Sequence, residues 1–166
     1  MKAFTFQAPP NILFEPGASR KIAEIVGSYS VRRVLLVTDK GVRDAGLTKG
    51  AEAALEEGGL ELSVFDAVEA DPPSHVIERA IAQCREHQIG LVLSIGGGSA
   101  LDTAKLVAYL AKTPDRLDDI YGVGLAKGER LPLLLAPTTA GTGSEVTPIA
   151  IVTTPTTEKK GVVAPR

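Results

Sequence analysis

"LVLSIGGGSALDTAKLVAYLA" runs from Leu91 to Ala111. It opens on a short apolar run, Leu91 to Ile95, passes through Gly96, Gly97 and Gly98, and continues from about Ala100 to Ala111 in a helical pattern. A short apolar run bounded by glycine predicts a buried strand. The turn that follows would carry the chain directly into a helix. Glycines at such a turn permit unusual backbone angles and let the main chain approach a ligand closely. The helix behind them presents unpaired N–H groups and a partial positive charge, an environment that suits a pyrophosphate. The motif is neither G-x-G-x-x-G nor a P-loop, because Lys105 lies too far into the helix.

The neighbouring segments extend the pattern in both directions. "VRRVLLVTD" (Val31 to Asp39) predicts a buried parallel strand. A helix around Leu47 to Glu57 follows, with Ala51, Ala54 and Leu55 on one face and Gly58 and Gly59 as its stop. "LELSVFD" (Leu60 to Asp66) is the next strand. "DPPS" turns the chain, with Ser74 as the predicted N-cap, and Val76, Ile77, Ala80, Ile81 and Cys84 form a helical core stripe. Beyond the glycine turn, Leu133 to Ala136 predicts another strand, and "IAIVTT" and "KGVVA" predict a terminal hairpin around "PTTEK". Alternating strands and helices define the expected fold: one α/β domain over 1–166, a Rossmann-like parallel sheet with helices on both faces, plus a short terminal β-hairpin.

Composition bounds the function. A chain of 166 residues is long enough for one domain with a real core. The formal net charge of −2 argues against a nucleic-acid partner. No run approaches the ~20 apolar residues that span a bilayer, and "MKAFTFQAPP" lacks a signal-peptide core. The single cysteine, Cys84, excludes an internal disulfide and a cysteine-rich metal site. These features predict a cytoplasmic protein. The two histidines, His75 and His87, are twelve residues apart on the same predicted helix, too far for a shared metal. His75 reads as a surface residue of the first turn.

In open α/β sheets, ligands bind beyond the carboxyl ends of the strands. Four segments place small or acidic residues there: Asp39, Asp66 with Asp71, the glycine turn with Ser99, and "TTAGTGS". The last offers Thr138, Thr139, Thr142 and Ser144 hydroxyls for ribose, phosphate or carboxamide. Asp39 would accept hydrogen bonds from an adenosine ribose diol and repel a 2′-phosphate. Each feature also has a plain structural reading. The glycines suit a tight turn, Ser99 and Asp102 match the S-x-x-D capping box, Asp39 suits a helix start, and "TTAGTGS" suits a solvated turn. Three such features on one rim make a dinucleotide the economical explanation.

"GGGSALDTAK" and "PTTAGTGSEVT", about forty residues apart, together with "ILFEPGA" and "VTDKG", resemble the iron-containing alcohol dehydrogenase family. The resemblance implies an N-terminal α/β domain that binds NAD or NADP, and a following all-helical domain that carries iron or zinc on one aspartate and three histidines. In the family, the metal polarises the alcohol or aldehyde oxygen during hydride transfer. Carried onto this chain, it implies Asp39 at the adenosine ribose. Gly96, Gly97, Gly98 and Ser99 would lie at the pyrophosphate, with Asp102 nearby and Asp71 toward the adenine. Thr138, Thr139, Thr142 and Ser144 would line the phosphate and nicotinamide side. Lys160, or its neighbour Lys159, would reach a ribose. The family also implies a possible homodimer. The resemblance places every metal ligand of the family beyond Arg166, so the expectation is a chain without the helical metal domain and without turnover of its own. Two other enzyme readings share the fold: a metal-free maleylacetate reductase and a dehydroquinate synthase. A third is a non-catalytic nucleotide-binding module.

Overall fold

A computed structural model describes residues 9–164. The readings of the first eight residues and of Arg166 lie outside the described residues. The chain begins with a 3-10 turn (Ala18–Lys21) and α1 (Ile22–Gly27). Strand β1 (Arg33–Val37) leads to α2 (Lys40–Asp44), α3 (Lys49–Glu57) and β2 (Glu61–Phe65). Helix α4 (Ser74–Glu86) precedes β3 (Leu91–Gly96) and α5 (Gly98–Leu110). After a second 3-10 turn (Leu117–Ile120) come β4 (Gly122–Val123), β5 (Leu133–Pro137), β6 (Ile149–Thr153) and β7 (Lys159–Val163).

Four strands form a parallel sheet in the order β2-β1-β3-β5. Strand β3 is central and buried along its whole length, as its unbroken apolar run requires. Its two faces support two cores. Leu35, Val37 and Val92 pack with α4 and α5, while Val34, Leu36, Leu91, Leu93 and Ile95 pack with α1 and α3. The predicted doubly covered sheet is therefore present. The predicted hairpin is also present: β6 and β7 pair antiparallel, with Val152 opposite Lys160. The two-residue β4 extends it to three strands by pairing parallel with β7, an addition too short for sequence periodicity to reveal.

The strand order reverses between β1 and β3. The chain leaves β1 toward β2 on one side, then returns over the sheet to lay β3 on the other side of β1. Open sheets bind ligands at such a switch point. Here the two strand ends are locked together by buried side chains. Thr38 Oγ1 donates to the Ile95 carbonyl at 2.6 Å, and Ser94 Oγ donates to the Val37 carbonyl at 2.9 Å. Neither residue stood out in the sequence, because a lone buried hydroxyl carries no periodic signal.

Two helix starts differ from expectation. Pro73 occupies the N-cap position of α4 and Ser74 is its first helical residue, without a capping hydrogen bond. Proline favours this boundary because it lacks an N–H. Helix α5 begins at Gly98 with Gly97 as N-cap, two residues ahead of the expected start. Ser99 thus lies inside the first turn, and the S-x-x-D pattern does not form a capping box.

Candidate functional site

Strand β3 delivers Gly96 to the carboxyl rim of the sheet, and α5 starts immediately behind it. Gly97 is extended, at φ −79° and ψ −179°, and supplies no side chain to cap the helix. Ala100 N and Leu101 N already bond the Gly97 carbonyl. No acidic residue sits in the first turn. A thirteen-residue helix thus ends at this rim with no side-chain cap and no acidic residue in its own first turn, which leaves its N–H groups available.

The other sequence-predicted residues converge on the same turn. A Cβ placed on Gly96 would lie 3.6 Å from Asp39 Oδ2, so the carboxylate borders the glycines across the switch point. Asp39 also caps α2, its Oδ1 accepting from Val42 N at 2.9 Å. The second loop closes over the opposite side. Thr138 N donates to the Gly96 carbonyl at 2.9 Å. The Thr139 side chain lies 3.5 Å from a Cβ built on Gly97, and Thr142 Cγ2 and Ser144 Oγ lie 3.1 and 3.3 Å from one built on Gly98. Thr138, Thr139 and Thr142 are exposed, whereas Ser144 is buried and its N–H donates to Thr142 Oγ1 at 3.3 Å. The glycine turn and the threonine loop therefore form one surface.

Ser99 Oγ accepts from Asp71 N at 3.3 Å and keeps its own proton for donation. Asp71 holds a left-handed backbone, at φ 50°, and its carboxylate accepts from Lys159 Nζ at 2.7 Å. Of the two candidate lysines, Lys159 is the one that joins the Asp71–Ser99 pair. Lys160, one strand position on, places its Nζ 5.3 Å from the centre of the Tyr121 ring. Successive strand residues face opposite ways, so a one-residue difference separates these environments. Asp102 is buried. Its Oδ1 accepts from Lys105 Nζ at 3.0 Å and its Oδ2 from Ile151 N at 3.0 Å.

His75 is exposed at the start of α4, and His87 lies just past its end, with Nδ1 2.9 Å from Ser63 Oγ. Among the described residues, no group of three or more His, Cys, Asp or Glu side chains could hold a metal ion. Among them, too, no helix is long and apolar enough to cross a membrane.

A parallel sheet with its glycine turn and hydroxyl-rich loop at the switch point defines a Rossmann-like α/β domain. Residues 9–166 match the family described as iron-containing alcohol dehydrogenase. Alcohol dehydrogenase 4 of Saccharomyces cerevisiae (strain YJM789) is 36% identical over 147 residues, covering 89% of this chain and 38% of that protein. The crystal structure of a 1,3-propanediol oxidoreductase superposes with a TM-score of 0.94 at 30% identity, over 99% of this chain and 43% of the other. Sulfoacetaldehyde reductase from Bifidobacterium kashiwanohense, solved in complex with NAD+, superposes with a TM-score of 0.87 at 28% identity, over 99% and 44% respectively. The chain belongs to the iron-containing alcohol dehydrogenase family and spans less than half the length of these relatives.

Proposed function

We propose that this chain is the dinucleotide-binding part of an oxidoreductase that moves hydride between a small alcohol or aldehyde and NAD. The observation that carries this reading is the uncapped start of α5, framed by Gly96–Gly98, Asp39 and the 138–144 loop on one rim. In this reading the Gly97–Gly98 main chain and the Ser99 hydroxyl receive the pyrophosphate. Asp39 accepts from the adenosine ribose diol. Asp71 borders the adenine side. Thr138, Thr139, Thr142 and Ser144 line the phosphate and nicotinamide side. Lys160, or its neighbour Lys159, reaches a ribose.

The catalytic metal belongs to the larger enzyme, where iron or zinc would supply Lewis-acid polarisation of the alcohol oxygen. The chain by itself then binds cofactor without turning over substrate. A cytoplasmic location and a homodimer complete the proposal, with no nucleic-acid or membrane partner.

Calorimetric titration of the folded chain with NAD+ tests this reading. Saturable one-to-one binding is expected, and absence of binding would refute it. The same titration with NADP+ should give weaker binding, because the Asp39 carboxylate repels a 2′-phosphate. Asp39→Asn keeps an oxygen for the Val42 N–H and should narrow the gap between the two cofactors. An unchanged gap would remove Asp39 from the site.

A further inference from the structure

Strand β6 pairs with β7 along one edge only, being the outer strand of its sheet. Its other edge is closed by groups that are not a paired strand. Lys105 Nζ donates to the Ile149 carbonyl at 2.7 Å, Ile151 N donates to Asp102 Oδ2 at 3.0 Å, and Thr153 N donates to the Pro72 carbonyl at 3.0 Å. An ammonium and a carboxylate from α5 thus stand in for the missing neighbour, satisfying main-chain groups that an open edge would leave unpaired. The two side chains are joined by their own hydrogen bond at 3.0 Å, and both are largely buried.

A second carboxylate lies in the adjoining loop. Glu145 lies in the loop between Ser144 and β6, and its Oε2 is buried without a partner among the described residues. Burial pulls the Lys105 ammonium below the usual lysine value, while Asp102 and then Glu145 oppose that pull. Lys105 is therefore the bonded partner of the α5 carboxylate, and it also grips the first residue of β6. At its other end the same loop is held by the bond from Thr138 N to the Gly96 carbonyl. Both anchors of the threonine loop belong to one unit, the glycine turn and the helix it starts.

We infer that Lys105 is a positioning residue for the dinucleotide site, fixing the 138–148 loop against the glycine turn through Asp102 and Ile149 without touching the ligand. Asp102 shares this role, since its two oxygens are occupied by Lys105 and β6. The inference rests on the proposed dinucleotide reading.

Its test compares NAD+ affinity with thermal stability across variants of this chain. Lys105→Met should weaken NAD+ at least tenfold and lower the unfolding midpoint, because it leaves a buried carboxylate unpaired. Lys105→Met/Asp102→Asn removes that orphan charge, so most of the lost stability should return while the affinity stays low. A merely structural charge pair would recover both together, and that result would overturn the inference. NAD+ binding by Lys105→Met within twofold of wild type would also overturn it. Should Lys105→Met fail to fold, Lys105→Arg keeps the charge but shifts the donors from Ile149. It should fold and bind several-fold more weakly, and wild-type affinity there would count as refutation. A folded wild-type chain that binds no NAD+ would instead overturn the functional reading, and this inference with it.

Discussion

A Cβ built on Gly97 would meet the Thr139 side chain at 3.5 Å, an ordinary contact, while one built on Gly96 would sit 2.6 Å from the Ala100 Cβ. The backbone of Gly97 is extended, so any residue could adopt it. Packing therefore explains the glycine at 96 but not the one at 97. If a phosphate lies against the main chain there, the missing side chain at 97 is explained by the ligand. Gly96→Ala should destabilise the chain by about 1–3 kcal/mol through overpacking. Gly97→Ala should leave stability within about 0.5 kcal/mol, as at sites free of a packing conflict, yet weaken NAD+ at least tenfold. Urea unfolding and calorimetric titration of the two variants separate the effects. Full affinity in Gly97→Ala would show that no ligand approaches the backbone at that residue.

Helix α4 shows how far sequence reading reaches at the scale of an element. Its stripe of Val76, Ile77, Ala80, Ile81 and Cys84 is buried as the 3.6-residue period requires. Burial also pushes the Cys84 thiol up to about 12 from its ordinary 9.0, with Arg85 opposing. Between those values the unfolded chain has lost the thiol proton and the folded chain keeps it, so stability falls as pH rises through this window. Wild type should lose roughly 1–2 kcal/mol more than Cys84→Ala between pH 8.5 and 10.5, from the ~1.4 kcal/mol that each pH unit can contribute. Equal losses in urea titrations would mean that the thiol ionises freely in the folded chain. The strands of the parallel sheet were legible for the same reason as this stripe, because their apolar runs are bounded by turns and charges. The helix caps were not. Pro73 and Gly97, both in extended backbone, take the N-cap positions in place of Ser74 and a Ser99 capping box, so neither helix start carries a side-chain cap. Likewise, residue types alone could not choose between Lys159 and Lys160. Hairpin register decides which lysine joins Asp71 and which meets Tyr121.

At the scale of the molecule, two apolar cores clamp the parallel sheet from both sides, and the candidate site occupies only its carboxyl rim. The rim presents main-chain amides, hydroxyls, the Asp39 and Asp71 carboxylates and a lysine. That donor set suits phosphates and ribose, whereas a transition metal would favour clustered imidazole and carboxylate ligands. Dinucleotide binding by this chain should consequently be independent of zinc and iron. At NAD+ concentrations about a hundredfold above the dissociation constant, mass action stabilises the bound form by ~2.7 kcal/mol, enough to raise the unfolding midpoint measurably. That rise should be the same in EDTA, in zinc and in ferrous iron under anaerobic conditions, and the metals alone should leave the midpoint unmoved. A rise that vanishes in EDTA would show that a cation bridges cofactor and protein on this rim.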